Sequence, residues 1–228
     1  GYLILTGPRL YVYLCAVGLE PWRALFGCIL YAGLPGSFGL LVRYPVLVDQ
    51  ASNIVVLSSA TFALTGHVYL AATAALLAGA IRETAPLWAA VLSMSPWPLI
   101  GLLAVAAAAL LIRPCAPPNW LSRVVNNPFV SARQHHGGKA LDAQTMLLPW
   151  GAVAPLALLA AVGHPWIGAA LAAALGYVQL LVATDSARLY QSGAPAVIAL
   201  GALACPLEFA PLVAVVHLLN PWAATVET

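Results

Sequence analysis

Gly79-Ala80-Ile81-Arg82-Glu83-Thr84-Ala85-Pro86 sets a cation and an anion side by side between two long apolar runs. A charge at the centre of a bilayer costs about 2.5–3.5 kcal/mol on insertion scales. Such a pair therefore belongs in a wet cavity, in a protein interior or at the membrane edge. An apolar run ends at Arg82-Glu83-Thr84 and a proline-containing apolar run follows, so the stretch reads as the turn between two helices.

Working outward, the rest of the chain is more apolar still. Of 228 residues 62% are hydrophobic and 7% are charged, with a mean hydropathy of +0.92. Soluble domains carry about 25% charged residues. The composition implies an all-α fold, a polytopic transmembrane helix bundle with about 8–10 membrane helices, some of them short or broken by proline. Residues 1–228 read as a single integral membrane domain. The chain begins at Gly1 with no basic leader ahead of its first apolar run, and the expectation is an N-terminally truncated fragment. A net charge of +2 is too small to suggest a nucleic-acid partner. Cys15, Cys28, Cys115 and Cys205 are far apart in sequence and lack metal-ligand spacing, so they read as packing residues.

Taken in order, the expected spans are 2–19, interrupted by Gly7-Pro8-Arg9, then 24–42, 45–64 and 68–81. Asp49 stands in the first turn of the third of these. The fourth returns after a turn of a few residues at Thr65-Gly66-His67, which places Asp49 and Arg82-Glu83 on one membrane face. Residues 85–112 are split by Ser95-Pro96-Trp97-Pro98, either a kink in one helix or a hairpin of two short ones. Two prolines flanking a tryptophan remove two backbone donors in three residues, which favours the hairpin. Further spans are expected over 146–162, 165–183, 193–204 and 206–219.

The polar connection 113–145 holds Arg113, Arg123, Arg133 and Lys139 against a single acid, Asp142. Two readings fit it: a positive-inside cytoplasmic loop, or a lid that grips a phosphate with Arg133 and Lys139. His135 and His136 are adjacent and point apart on any regular element, so no metal site is expected there, and no cofactor is identified. Asp185 and Arg188, three apart, would share a helix face, as a structural ion pair or as an acid orienting a base toward an anionic substrate.

Two motifs, GAIRETAP over 79–86 and ATDSARLYQSGAP over 183–195, together with the span pattern, resemble multispanning glycosyltransferases of the GT-C class, including relatives in bacteria and their phages. The resemblance implies an integral protein of the bacterial inner (cytoplasmic) membrane. It implies transfer of a sugar from a polyprenyl-phosphate donor, a lipid-linked sugar, at the outer face. Arg82 and Arg188 would then neutralise the phosphate leaving group, with Arg133 and Lys139 as further phosphate contacts. Asp49, Glu83 and Asp185 are the candidate carboxylates, as base, as orienting partner or as ligand of a divalent metal. The family's principal acidic motif follows its first span, and no paired-acid loop stands there in this chain.

A different class fits the same composition: a non-enzymatic transporter, lipid-handling or structural membrane protein. Pro35-Gly36 and Pro96-Trp97-Pro98 would then mark broken helices near a substrate path.

Overall fold

The computed structural model describes residues 2–34, 49–112, 150–163 and 186–219. The described residues form helices and no strands. They are α1 (Tyr2–Ala16), α2 (Pro21–Ala32), α3 (Asp49–Leu64), α4 (Val68–Ile81), α5 (Ala85–Ser93), a 3-10 turn (Trp97–Gly101), α6 (Leu102–Ile112), α7 (Val153–Gly163), α8 (Ser186–Ala204), a second 3-10 turn (Leu207–Phe209) and α9 (Ala210–Leu218). The loop 113–145 and the expected span 165–183 lie outside the described residues.

Local chemistry explains most of the helix ends. α1 stops where Gly18 takes φ +103° and Leu19 N–H reaches back to Leu14 O at 3.1 Å. α3 stops the same way, with Gly66 at φ +79° and His67 N–H donating to Phe62 O at 2.8 Å. Glycine adopts this left-handed corner without the Cβ penalty other residues meet. Pro21 and Pro86 each stand in the first turn of the next helix, where their missing N–H costs nothing.

One expectation from sequence is corrected. Helix α1 runs unbroken through Pro8, because one missing N–H near a helix start removes a single bond and proline already holds a helical φ. Helix α2 ends at Ala32 with Gly33 as its cap, and the rest of the expected span, from 35 to 42, lies outside the described residues.

The break after α5 is a true reversal. Met94 takes a left-handed φ of 50°, and a methyl placed on Gly101 would lie 2.7 Å from Pro86 Cγ. A straight helix would separate Pro86 and Gly101 by about 22 Å, so the chain must fold back between them. Its 3-10 return segment lies against α4, and α6 continues along α4 as well.

Side-chain contacts orient the remaining helices. Ser59 Oγ donates to Ala71 O at 2.8 Å, pairing α3 and α4 antiparallel, and Asp49 lies as far before Ser59 as Ile81 lies after Ala71. A methyl on Gly79 would lie 3.2 Å from Pro86 Cγ, so α5 folds back beside α4 and runs with α3. Tyr13 Oη donates to Leu92 O at 3.1 Å, bringing the ends of α1 and α5 together. Arg23 donates to Leu203 O, and Gly27 faces Ile198 and Ala202, so α8 runs antiparallel to α2. The bundle therefore has two ends. One carries Asp49, Arg82, Thr84 and the start of α8, and the other carries Glu20, Arg23, Gly66, Met94 and Cys205.

The core between these ends is built from small residues and a few large ones. Trp88, Leu10, Leu14, Leu30, Leu57 and Ile198 are fully enclosed among buried alanines of α4, α5 and α8. Tyr13 is also buried, and Tyr13→Phe would leave the Leu92 carbonyl without that donor. The expected loss is about 1–2 kcal/mol, read as a lowered unfolding midpoint in mild detergent.

Many large apolar side chains also stand on the outside. Tyr69 is 90% exposed, Leu111 81% and Leu219 74%, with Leu70, Leu77, Leu103, Leu110, Leu158, Leu159, Leu212 and Val216 also more than half exposed. Among the described residues no single helix is long and apolar enough to cross a membrane. One pair, Ser192–Ala204 with Leu207–Leu218, reaches that length and composition together across a 110° bend.

Candidate functional site

Helices α3, α5 and α8 open toward the Arg82 end, as does α1, whose last turn meets that of α5 at the other end. A helix start presents backbone N–H groups and the positive end of its dipole. Arg82 sits in the turn between α4 and α5 with an extended backbone, φ −150° and ψ 128°. Its N–H closes the last turn of α4 on Ala78 O at 2.9 Å, and its own carbonyl receives Ala85 N–H at 3.1 Å. The Arg82 side chain is half-buried and that of Glu83 is exposed.

Asp49 is the first residue of α3, and Arg188 stands in the first turn of α8. The two helices meet where Ser192 Oγ donates to Asn53 Oδ1 at 3.5 Å. Asp49 lies one turn before Asn53, and Arg188 one turn before Ser192. By register, the structure thus brings Asp49, Arg82, Glu83 and Arg188 to one end. Asp185, Arg133 and Lys139 lie outside the described residues.

Sequence reasoning gave no role to the polar groups just inside this end. Ser52, Asn53 and Ser192 are buried at 2%, 5% and 4% exposure, and Trp88 at 0%. Asn53 Nδ2, Thr84 Oγ1 and Trp88 Nε1 are buried without a hydrogen-bond partner. Thr84 occupies the N-cap of α5, yet its hydroxyl makes no capping bond. Helix α5 packs against both α3 and α8. The available signal was an asparagine and a serine inside apolar helices, each of which must find a partner when buried.

At the opposite end Arg23 is held by several groups. Arg23 Nε lies 3.8 Å from Glu20 Oε2, its guanidinium stands 4.9 Å from the centre of the Trp22 ring, and Trp22 Nε1 donates to Glu20 Oε2 at 2.7 Å. With its bond to Leu203 O, Arg23 ties α2 to the end of α8. His217 is similarly structural. Its Nε2 lies 2.8 Å from Leu30 O, fastening α9 to α2 across Gly33.

Cys15, Cys28 and Cys205 are free thiols, packed in or against the core, and Cys115 lies outside the described residues. Among the described residues no three His, Cys, Asp or Glu side chains gather as a metal-ligand set. Compared with protein-family models, curated proteins and solved structures, the chain shows no match.

Proposed function

We propose that the chain is a polytopic membrane protein that takes a sugar from a polyprenyl-phosphate donor and transfers it to an acceptor hydroxyl, as the GT-C resemblance implies. The membrane reading is supported by the large apolar side chains exposed on α4, α6, α7 and α9, which a bilayer would cover. The observation that carries the functional reading is the gathering of Asp49, Arg82, Glu83 and Arg188 at the end where α3, α5 and α8 begin.

In this reading Arg82 and Arg188 hold the donor phosphate, and Asp49 or Glu83 accepts the acceptor's proton. The acceptor oxygen bonds to the anomeric carbon while the bond from that carbon to the phosphate oxygen breaks. The polyprenyl phosphate leaves with the electron pair, and the arginines stabilise the charge it gains.

The test is sugar transfer from a labelled polyprenyl-phosphate hexose in membranes holding the full chain. Arg82→Ala and Arg188→Ala are expected each to lower the rate by a factor of about 100 or more while the protein still inserts. Active variants, or an inactive wild type, would overturn the reading.

A lipid-handling or transport reading draws on the reversal at Met94 and the 110° bend between α8 and α9, since transporters place broken helices beside their substrate. It predicts movement of polyprenyl-phosphate sugar between leaflets of proteoliposomes with no release of the sugar.

A further inference from the structure

We propose that the first turns of α3, α5 and α8 enclose a binding site for a phosphate group, read by Asn53, Thr84 and Trp88. This deepens the function proposed above, and rests on it for the lipid-linked identity of the ligand.

Three observations converge. The helices open toward the same end, so the positive ends of their dipoles favour an anion there. Just inside that end, Asn53 Nδ2 and Trp88 Nε1 are donors on side chains at 5% and 0% exposure, and neither has a partner. The Asn53 amide lies between α3 and α8, where its oxygen receives Ser192 Oγ at 3.5 Å and its nitrogen is left to donate elsewhere. Finally, the Thr84 hydroxyl is buried, unpartnered and not spent on its own helix cap.

Leaving a buried donor unpaired is costly, and native proteins keep few such groups. Two donor-only groups and a free hydroxyl within the opening turns of α3 and α5 are explained by a ligand rich in acceptor oxygens. Phosphate offers these, and Arg82 at the mouth supplies a counter-charge. Asp49 and Glu83 stand at the same end and disfavour a second unneutralised anion, which suits a phosphate monoester or diester better than a polyphosphate.

The experiment measures binding of three probes to the purified full chain in neutral nanodiscs: a polyprenyl monophosphate, the matching uncharged polyprenol and inorganic phosphate. The variants are Asn53→Leu, Thr84→Val and Trp88→Phe, which remove the polar atom while keeping most of the shape. Gly7→Ala, facing open space, serves as control. Monodisperse elution identifies the variants that fold, and Thr84→Val, nearly isosteric, keeps the test open if either of the others does not.

The expected result is preference for the polyprenyl phosphate over the polyprenol, lost by about tenfold in each folded variant and kept in the control. Binding of inorganic phosphate alone, with the same dependence on Asn53, Thr84 and Trp88, would support the site and overturn its lipid-linked identity. Phosphate preference that all three variants retain would overturn the site and leave the proposed function standing. No phosphate-dependent binding by the wild type would overturn the site.

Discussion

Gly101→Leu is expected to give no folded protein. A Cβ at this position would overlap the Ala75 carbonyl oxygen and lie 2.7 Å from both the Ala75 carbonyl carbon and Pro86 Cγ. The first two are backbone atoms in the middle of α4, and the third belongs to a ring fixed at the start of α5, so none can rotate away. Even Gly101→Ala must push the returning segment off α4, with an expected loss of about 1–3 kcal/mol. Leucine adds three further carbons where no space exists. Gly79 meets the same segment from the other side, since its Cβ would overlap the Gly101 carbonyl.

The contrast is Gly7, whose Cβ would meet nothing within 4 Å. Gly7→Ala should leave stability unchanged or raise it by up to about 1 kcal/mol through helix propensity. Unfolding midpoints in mild detergent would check all of these. A monodisperse Gly101→Leu protein with a wild-type midpoint would show that the close approach of α4 and the return segment is wrong.

That approach also bears on the proposed membrane setting, in which helices of this composition would have to find one another by fit. Lipid tails are as apolar as leucine, so helix association depends on close packing. Ala71, Ala75 and Gly79 recur every four residues on α4 and are buried or in contact with neighbouring segments. The larger side chains Tyr69, Leu70, Leu76 and Leu77 are left exposed.

This inversion explains what the sequence disclosed and what it hid. Helix α4 was expected over 68–81 and is Val68–Ile81, because Gly66 before it and Arg82 after it are strong punctuation. The shared end of Asp49 and Arg82 followed from counting residues around the turn at Gly66. The reversal near Pro96 was legible from its two prolines. The faces were not, since α4 and α6 are apolar on every side and carry no polar stripe to mark a core face. Nor was the meeting of Asn53 and Ser192, which are 139 residues apart and lie on helices whose pairing depends on the intervening bundle. Pro8 misled because proline holds a helical φ and removes only one backbone bond, so a helix with enough other contacts can run through it.

On the membrane reading proposed above, the two-ended arrangement makes an all-or-none prediction. In a background lacking Cys15, Cys28, Cys115 and Cys205, single cysteines at Glu83 and Gln191 should react with an impermeant thiol reagent from one side of the membrane. Cysteines at Thr65 and Glu208 should react from the other. Thr65 is in the turn that reverses α3 into α4, and Glu208 follows the end of α8 where Arg23 grips Leu203. Glu83 and Gln191 belong to the opposite end by the Ser59–Ala71 and Asn53–Ser192 contacts. The separation between ends is set by α3 and α8, whose 16 and 19 residues span about 24 and 28 Å. Both are shorter than a hydrocarbon core of about 30 Å, so the proposed membrane setting would require local thinning of the bilayer. Labelling of all four positions from one side would break the two-ended bundle. Labelling of Glu83 and Gln191 from outside would place the arginine-bearing end where a polyprenyl-phosphate glycosyltransferase works. Their labelling only from the cytoplasm would remove that reaction in its usual form, because donor sugar and acceptor would then meet on the wrong side of the membrane, and the lipid-handling reading would take its place.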